Sequence, residues 1–169
     1  ANGGPIGRFP ASGFPDSPIT LKYLDVDDTG RLFVGGLTAL GMPRIAEYTT
    51  GGALVRTFGE YGDGEGELNG PAGLAIDAER DVVYVVDSNN NRVIAFSLEG
   101  AFLHAWGRTG SGPGEFEFFD PAPGGPDQGP EGGLDVDPDG NIYVVNNRTR
   151  RIQTFTPDGE FRSMWGRRG

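Results

Sequence analysis

Three copies of one pattern of short alternating segments, a constant ten-residue step between the last two aromatic positions of each copy, and glycine-rich punctuation between copies predict an all-β chain. Its architecture is a β-propeller segment of three four-stranded antiparallel blades, either a half-propeller or a fragment of a six-bladed ring. The first copy reads Leu24-Asp25-Val26-Asp27, Arg31-Leu32-Phe33-Val34, Arg44-Ile45-Ala46-Glu47-Tyr48 and Ala53 to Gly59. The second reads Leu74-Ala75-Ile76-Asp77, Val82-Val83-Tyr84-Val85, Arg92-Val93-Ile94-Ala95-Phe96 and Ala101 to Gly107. The third reads Leu134-Asp135-Val136-Asp137, Asn141-Ile142-Tyr143-Val144, Arg151-Ile152-Gln153-Thr154-Phe155 and Glu160 to Gly166. Each copy thus offers four strands, a to d, bounded by Gly, Asp or Asn.

Residues 1–20 form an incoming linker in which Gly4-Pro5-Ile6-Gly7-Arg8-Phe9 is a glycine-rich copy of later linkers. Blade 1 covers 21–59, a linker 60–70, blade 2 71–107, a long inserted linker 108–130, and blade 3 131–169. Within each blade the a–b hairpin is short, since Asp27 to Phe33, Asp77 to Tyr84 and Asp137 to Tyr143 are six, seven and six residues apart. The c–d hairpin is constant: Tyr48 to Phe58, Phe96 to Trp106 and Phe155 to Trp165 are all ten apart, with Gly52, Gly100 and Gly159 available for positive φ. Strand a is expected innermost, with Leu74, Ile76, Leu134 and Val136 packed between blades. Glycine and proline make up a quarter of the chain, but Leu, Ile, Val and Phe reach 24%, enough for an ordered core.

Two connections exceed the repeat. Phe33 to Tyr48 is 15 residues where the other copies take 12, which enlarges the b–c loop Gly35 to Pro43; Trp106 to Leu134 is 28 against 16 for Phe58 to Leu74. In a propeller both connections lie on one rim. Long loops on a rigid scaffold carry function, and these contain Leu37, Leu40, Met42, Phe118 and Phe119, apolar residues where loops usually face water. Those five are the candidate protein-binding residues; the alternative is that they fold back as core.

The charge is −10 at pH 7, with 14 basic and 24 acidic residues. Such acidity disfavours nucleic acid, whose affinity comes from neutralised phosphates. No basic residue lies between Arg108 and Arg148, while that span holds Glu115, Glu117, Asp120, Asp127, Glu131, Asp135, Asp137 and Asp139; six arginines follow from Arg148 on. Two solvated surfaces are expected, or complementary contact between chains. The chain has no cysteine, and its longest apolar run is Val82 to Val86, too short to insert in a membrane. No cofactor or metal site is expected. His104 is the sole histidine, on outer strand d, and reads as a surface residue. Asp135-Val136-Asp137-Pro138-Asp139-Gly140 opens like a calcium loop, but its twelfth position is Asn146 rather than Glu, so a hairpin turn is expected. Asp87 and Arg92 are expected to form a structural pair.

The stretch Gly70-Pro71-Ala72-Gly73 through Gly107, with Val83-Tyr84-Val85-Val86-Asp87, Asn91-Arg92-Val93 and Trp106-Gly107, resembles the NHL-repeat family. Asp137-Pro138-Asp139-Gly140-Asn141-Ile142-Tyr143-Val144 and Arg151 to Phe155 match closely in the third copy. Departures from the pattern are Gly35 in place of the Asp after strand b in the first copy and Asn146 in the third. The resemblance implies a propeller that is usually six-bladed, and an extracytoplasmic location. Its metal-dependent lyases use several histidines, which a single histidine does not supply. A non-enzymatic protein-interaction scaffold or structural subunit is therefore expected, the alternative being part of a lyase or hydrolase whose catalytic groups lie in other blades. Three blades leave no strand to close a ring, so a second chain in a homo-oligomer, or further blades, is expected to complete it.

Overall fold

The computed structural model describes residues 20–38, 40–118 and 132–166. Blade 1 is an antiparallel sheet of β1 (Thr20–Val26), β2 (Leu32–Leu37), β3 (Pro43–Tyr48) and β4 (Leu54–Phe58). Between the blades, β5 (Glu60–Tyr61) and β6 (Glu67–Leu68) form a small parallel ladder in the first linker. Blade 2 consists of β7 (Pro71–Asp77), β8 (Val82–Asp87), β9 (Arg92–Ser97) and β10 (Phe102–Trp106), and blade 3 of β11 (Gly133–Val136), β12 (Ile142–Asn146), β13 (Arg151–Phe155) and β14 (Phe161–Gly166). Each sheet is a meander in chain order, and a single 3₁₀ turn at Ser88–Asn90 is the helical content among the described residues.

Turn chemistry sets the hairpins. Gly52, Gly100 and Gly159 all have φ near +80°, closing the three c–d turns where a side chain would be strained. The a–b turn of blade 2 is one residue longer than its counterparts, and Asp81 absorbs that residue in the left-handed region at φ 56°.

The innermost strands lie against one another. Asp25 Oδ2 on β1 accepts a hydrogen bond from the Ile76 N–H on β7 at 2.8 Å, and a Cβ at Gly73 on β7 would stand 3.1 Å from the Cα of Gly133 on β11. Leu74 is buried against blade 1, with Ile76 packed beside it, while Leu134 and Val136 pack against the cluster shared by blades 2 and 3.

Two interblade cores result. Phe33, Ile45, Leu68, Leu74, Val83, Val85, Ile94 and Phe96 fill the first; Tyr84, Val86, Val93, Phe116, Phe118, Val144 and Phe155 are in the second. In each, the d-strand ring of one blade meets the c-strand ring of the next: Phe58 with Phe96 at 5.0 Å and Trp106 with Phe155 at 5.7 Å between centroids.

Ladder register corrects one reading of the sequence. Gly36 pairs with Arg44 as Asp87 pairs with Arg92 and Asn146 with Arg151, so Gly36, not Gly35, holds the Asp place in blade 1. The small residue at 35 serves packing instead, since a Cβ there would collide with the Tyr23 ring. His104 is likewise no plain surface residue. It is half-buried, stacked on Trp106 at 5.6 Å, and its Nε2 lies 3.2 Å from the Pro157 carbonyl of blade 3.

Candidate functional site

The two linkers with described residues, 60–70 and 108–118, are each clamped onto the blade that follows. In blade 2, Asp87 is fully buried; its Oδ1 accepts the Asn69 N–H at 2.6 Å and its Oδ2 accepts from Asn90 Nδ2 at 2.7 Å and Arg92 Nε at 2.9 Å. The other Arg92 nitrogens donate to the carbonyls of Asp63, Gly64 and Glu67. Burial pushes the Asp87 carboxyl up, against the pull of those donors. Arg92 thereby ties Asp87 to the glycine linker, a structural role that Arg151 and Gln153 repeat in blade 3. There Arg151 donates to the Ser111 carbonyl, Gln153 Nε2 donates to the Glu115 carbonyl at 2.7 Å, and its Oε1 accepts the Gly114 N–H at 2.8 Å. Asn146, with its amide turned to satisfy both neighbours, accepts from Glu117 N at 3.0 Å and donates to Glu117 O at 2.8 Å.

Two ion pairs engage the glutamates of the second linker, one of them with the basic stretch. Arg108 pairs with Glu115 at 2.8 Å and Arg148 with Glu117 at 3.7 Å. The Gly112 N–H and then the Arg108 guanidinium hold the Glu115 carboxyl below its ordinary value. At the Asp135–Gly140 loop, Asp137 accepts from Asn141 Nδ2, Asn141 N and the Tyr143 hydroxyl, and Gly140 sits at φ 83°. That is a hairpin turn whose carboxylate is already engaged. Among the described residues no three His, Cys, Asp or Glu side chains gather into a metal-holding group.

The five candidate binding residues part company. Leu37 ends β2, half-buried and paired with Pro43, so β2 and β3 run on past the Gly36–Arg44 pair and shorten the expected loop. The tip closes with the Thr38 N–H on the Met42 carbonyl, the Gly41 N–H on the Thr38 carbonyl, and Gly41 at φ 75°. Leu40 at this tip is 79% exposed and Met42 40% exposed. Phe118 is 2% exposed, a correction to its reading as a rim contact: its ring stacks on Phe116 at 4.8 Å and fills the core between blades 2 and 3. Its N–H donates to Asn91 Oδ1, which turns it inward. Phe119 lies outside the described residues.

Apolar exposure not foreseen loop by loop is concentrated on the two end sheets. Leu24 is 64% exposed whereas Leu74, at the same place in blade 2, is 6% exposed. Trp165 is 46% exposed and Val145 38% exposed, whereas Val86, the counterpart of Val145, is fully buried. A cleft of about 330 Å³ opens on the blade 3 flank, lined by residues that include Val145, Arg150, Ile152, Trp165 and Gly166. Repeat arithmetic could have found it, because Val145 and Ile152 have fully buried counterparts, Val86 and Val93, one repeat earlier.

Comparison with known proteins agrees with this architecture. The SMP-30/Gluconolactonase/LRE-like region family matches residues 24–166. The chain is 30% identical over 110 residues to Protein brain tumor of Drosophila melanogaster, covering 64% of this chain and 10% of that protein. It is 28% identical over 130 residues to human NHL repeat-containing protein 3, covering 72% of this chain and 34% of that protein. The chain therefore spans about a third or less of these relatives' length. Among solved structures, a gluconolactonase from Xanthomonas campestris superposes with a TM-score of 0.62 at 17% identity, covering 97% of this chain and 51% of that one. With three meander blades, their linkers and a family match across nearly all of the described sheet, the chain belongs to the SMP-30/gluconolactonase/LRE-like family of β-propellers and is built of NHL repeats.

Proposed function

We propose that this propeller segment is a non-enzymatic scaffold for protein–protein contact, or a structural subunit of a larger assembly. The observation that carries the reading is where apolar surface remains: at Leu40 and Met42 in the β2–β3 connection and on two end sheets. Leu37, Leu40 and Met42 form the rim contact in this reading, and Phe119 is carried as a fourth candidate from the sequence. The end sheets are met by a second copy or by further blades, completing a ring. The net charge of −10 argues against nucleic acid as partner. No helix among the described residues is long and apolar enough to cross a membrane. The reading places the protein outside the cytoplasm, which cell fractionation tests.

The rim contact is tested by Leu40→Ser with Met42→Ser. Partner capture from its native source should fall by at least tenfold while the melting temperature holds within about 2 °C, since exposed side chains contribute little to folding. Unchanged capture would remove the rim from the function. A second reading, part of a lactone hydrolase, is favoured by the family match and the gluconolactonase likeness. Metal-dependent hydrolysis of simple sugar lactones by the purified chain would replace the scaffold reading.

A further inference from the structure

Among the described residues the same interblade site occurs three times, twice filled and once open. In blade 1, the b- and d-strand rings Phe33 and Phe58 meet edge to face at 6.3 Å; in blade 2, Tyr84 and Trp106 do so at 6.0 Å; in blade 3, Tyr143 and Trp165 do so at 6.3 Å. A glycine with positive φ follows each d strand: Gly59 at 78°, Gly107 at 105° and Gly166 at 99°. A Cβ at Gly59 would meet Leu68 Cδ1 at 2.5 Å, and one at Gly107 would meet the Phe116 ring at 2.6 Å. These glycines are the floor on which the apolar residue of the following Gly-x-Gly-Glu-(Leu/Phe) linker sits, and both Leu68 and Phe116 are fully buried. At Gly166 the atoms nearest a Cβ would be the backbone of Arg150 and Arg151, with no linker side chain among them.

The lining of the open copy corresponds position by position to the filled one. Val145 stands for Val86, Ile152 for Val93, Trp165 for Trp106 and Gly166 for Gly107. Arg150 repeats even the left-handed backbone of Asn91, with φ of 54° and 50°. The open site is therefore shaped before any ligand arrives, which lowers the ordering cost of binding. Its edge carries Arg150, a positive charge to meet the glutamates of such a linker, while Arg151 is engaged with the Ser111 carbonyl.

We propose that the cleft on the blade 3 flank is a receptor site for an acidic, glycine-rich linker segment of the form Gly-x-Gly-Glu-(Leu/Phe), whose apolar side chain seats between Val145, Ile152, Trp165 and Gly166. The proposal rests on the scaffold reading and names the chemistry of what this flank takes. A single anchoring ring and a few backbone contacts give a weak site by themselves, on the order of 1 mM.

The test titrates the full chain with a synthetic nonapeptide of the sequence of residues 110–118, Gly-Ser-Gly-Pro-Gly-Glu-Phe-Glu-Phe, while following the Trp165 indole N–H and the Val145 and Ile152 methyls by NMR. The same titration is run on Phe9→Ser, so that a flank already filled by the incoming linker of a second copy is opened. Saturable shifts at these three residues in either protein, absent with a peptide carrying Ser for both Phe residues, support the proposal. So does a several-fold weakening between roughly 50 and roughly 300 mM salt. No shift in either protein, or equal shifts with the Ser peptide, overturns it. Val145→Glu, placed on the open face, should abolish the shifts while the remaining spectrum stays that of the folded chain; persistence of the shifts in this variant overturns the assigned location. Sedimentation separates this from ring completion: a monomer that binds the peptide keeps the site and loses the ring, and a dimer that leaves the peptide unbound in both proteins does the reverse.

Discussion

Asp87 closes its b strand, Asp137 lies in the turn that precedes its own, and the two are shifted in opposite directions. Burial raises Asp87, so the folded state holds its proton more tightly than the unfolded state does; its contribution favours the fold at acid pH and declines as pH rises through its folded value. Asp137 is held below the ordinary carboxylate value, chiefly by Asn141 Nδ2 and then by Asn141 N and Tyr143. Its contribution is present above the unfolded value and lost as pH falls through the folded one. Carboxyl NMR titration should place the Asp87 midpoint above and the Asp137 midpoint below that of an exposed Asp, and Asn141→Ala should move Asp137 upward. The same order in reverse would contradict the hydrogen-bond assignment. Replacing Asp87 by Ala leaves the buried Asn69 N–H without its acceptor and Arg92 without its counter-ion, a change expected to cost about 3–5 kcal/mol in denaturant unfolding. Loss of less than about 1 kcal/mol would show that the clamp is not structural. Tyr84, pushed up to about 12 by burial, should stay protonated through any ordinary alkaline titration.

Strands were legible in the sequence because a sheet imposes a period of two and its turns demand glycine at positive φ, as at Gly52, Gly100 and Gly159. The β5–β6 ladder was not, since two paired residues carry no period. Phe118 was misread for a related reason: a ring in an acidic, proline-rich stretch looks like a surface contact, and only the fold brings Val86 and Phe116 to it. Its role now has a clear consequence. Phe118→Ala and Phe116→Ala should each destabilise by about 3–5 kcal/mol, as emptied core sites do, and any effect on association should follow from that loss. A Phe118 variant that melts normally but fails to associate would return this ring to the rim. The acidic and basic stretches were visible as composition, but the Arg148–Glu117 pair depends on the linker folding back onto blade 3.

The described residues form an open arc of three blades, and in the proposed reading its two exposed flanks carry assembly. Interior flanks bury Leu74 and Val86, while their counterparts Leu24 and Val145 face water. A chain with complementary flanks at its two ends can meet a copy of itself head to tail, and two such contacts close a six-bladed ring of two-fold symmetry. The loop rim then lies on one face of that ring, with Leu40 and Met42 at a tip from each copy. Charge contributes to orientation, while the apolar flanks supply the main driving force. Sedimentation equilibrium of the 169-residue chain at micromolar concentration, beside Trp165→Glu, tests this most directly. The account predicts a discrete dimer for the native sequence and a folded monomer for the variant; a native chain that remains a stable, folded monomer with Trp165 in water would contradict it.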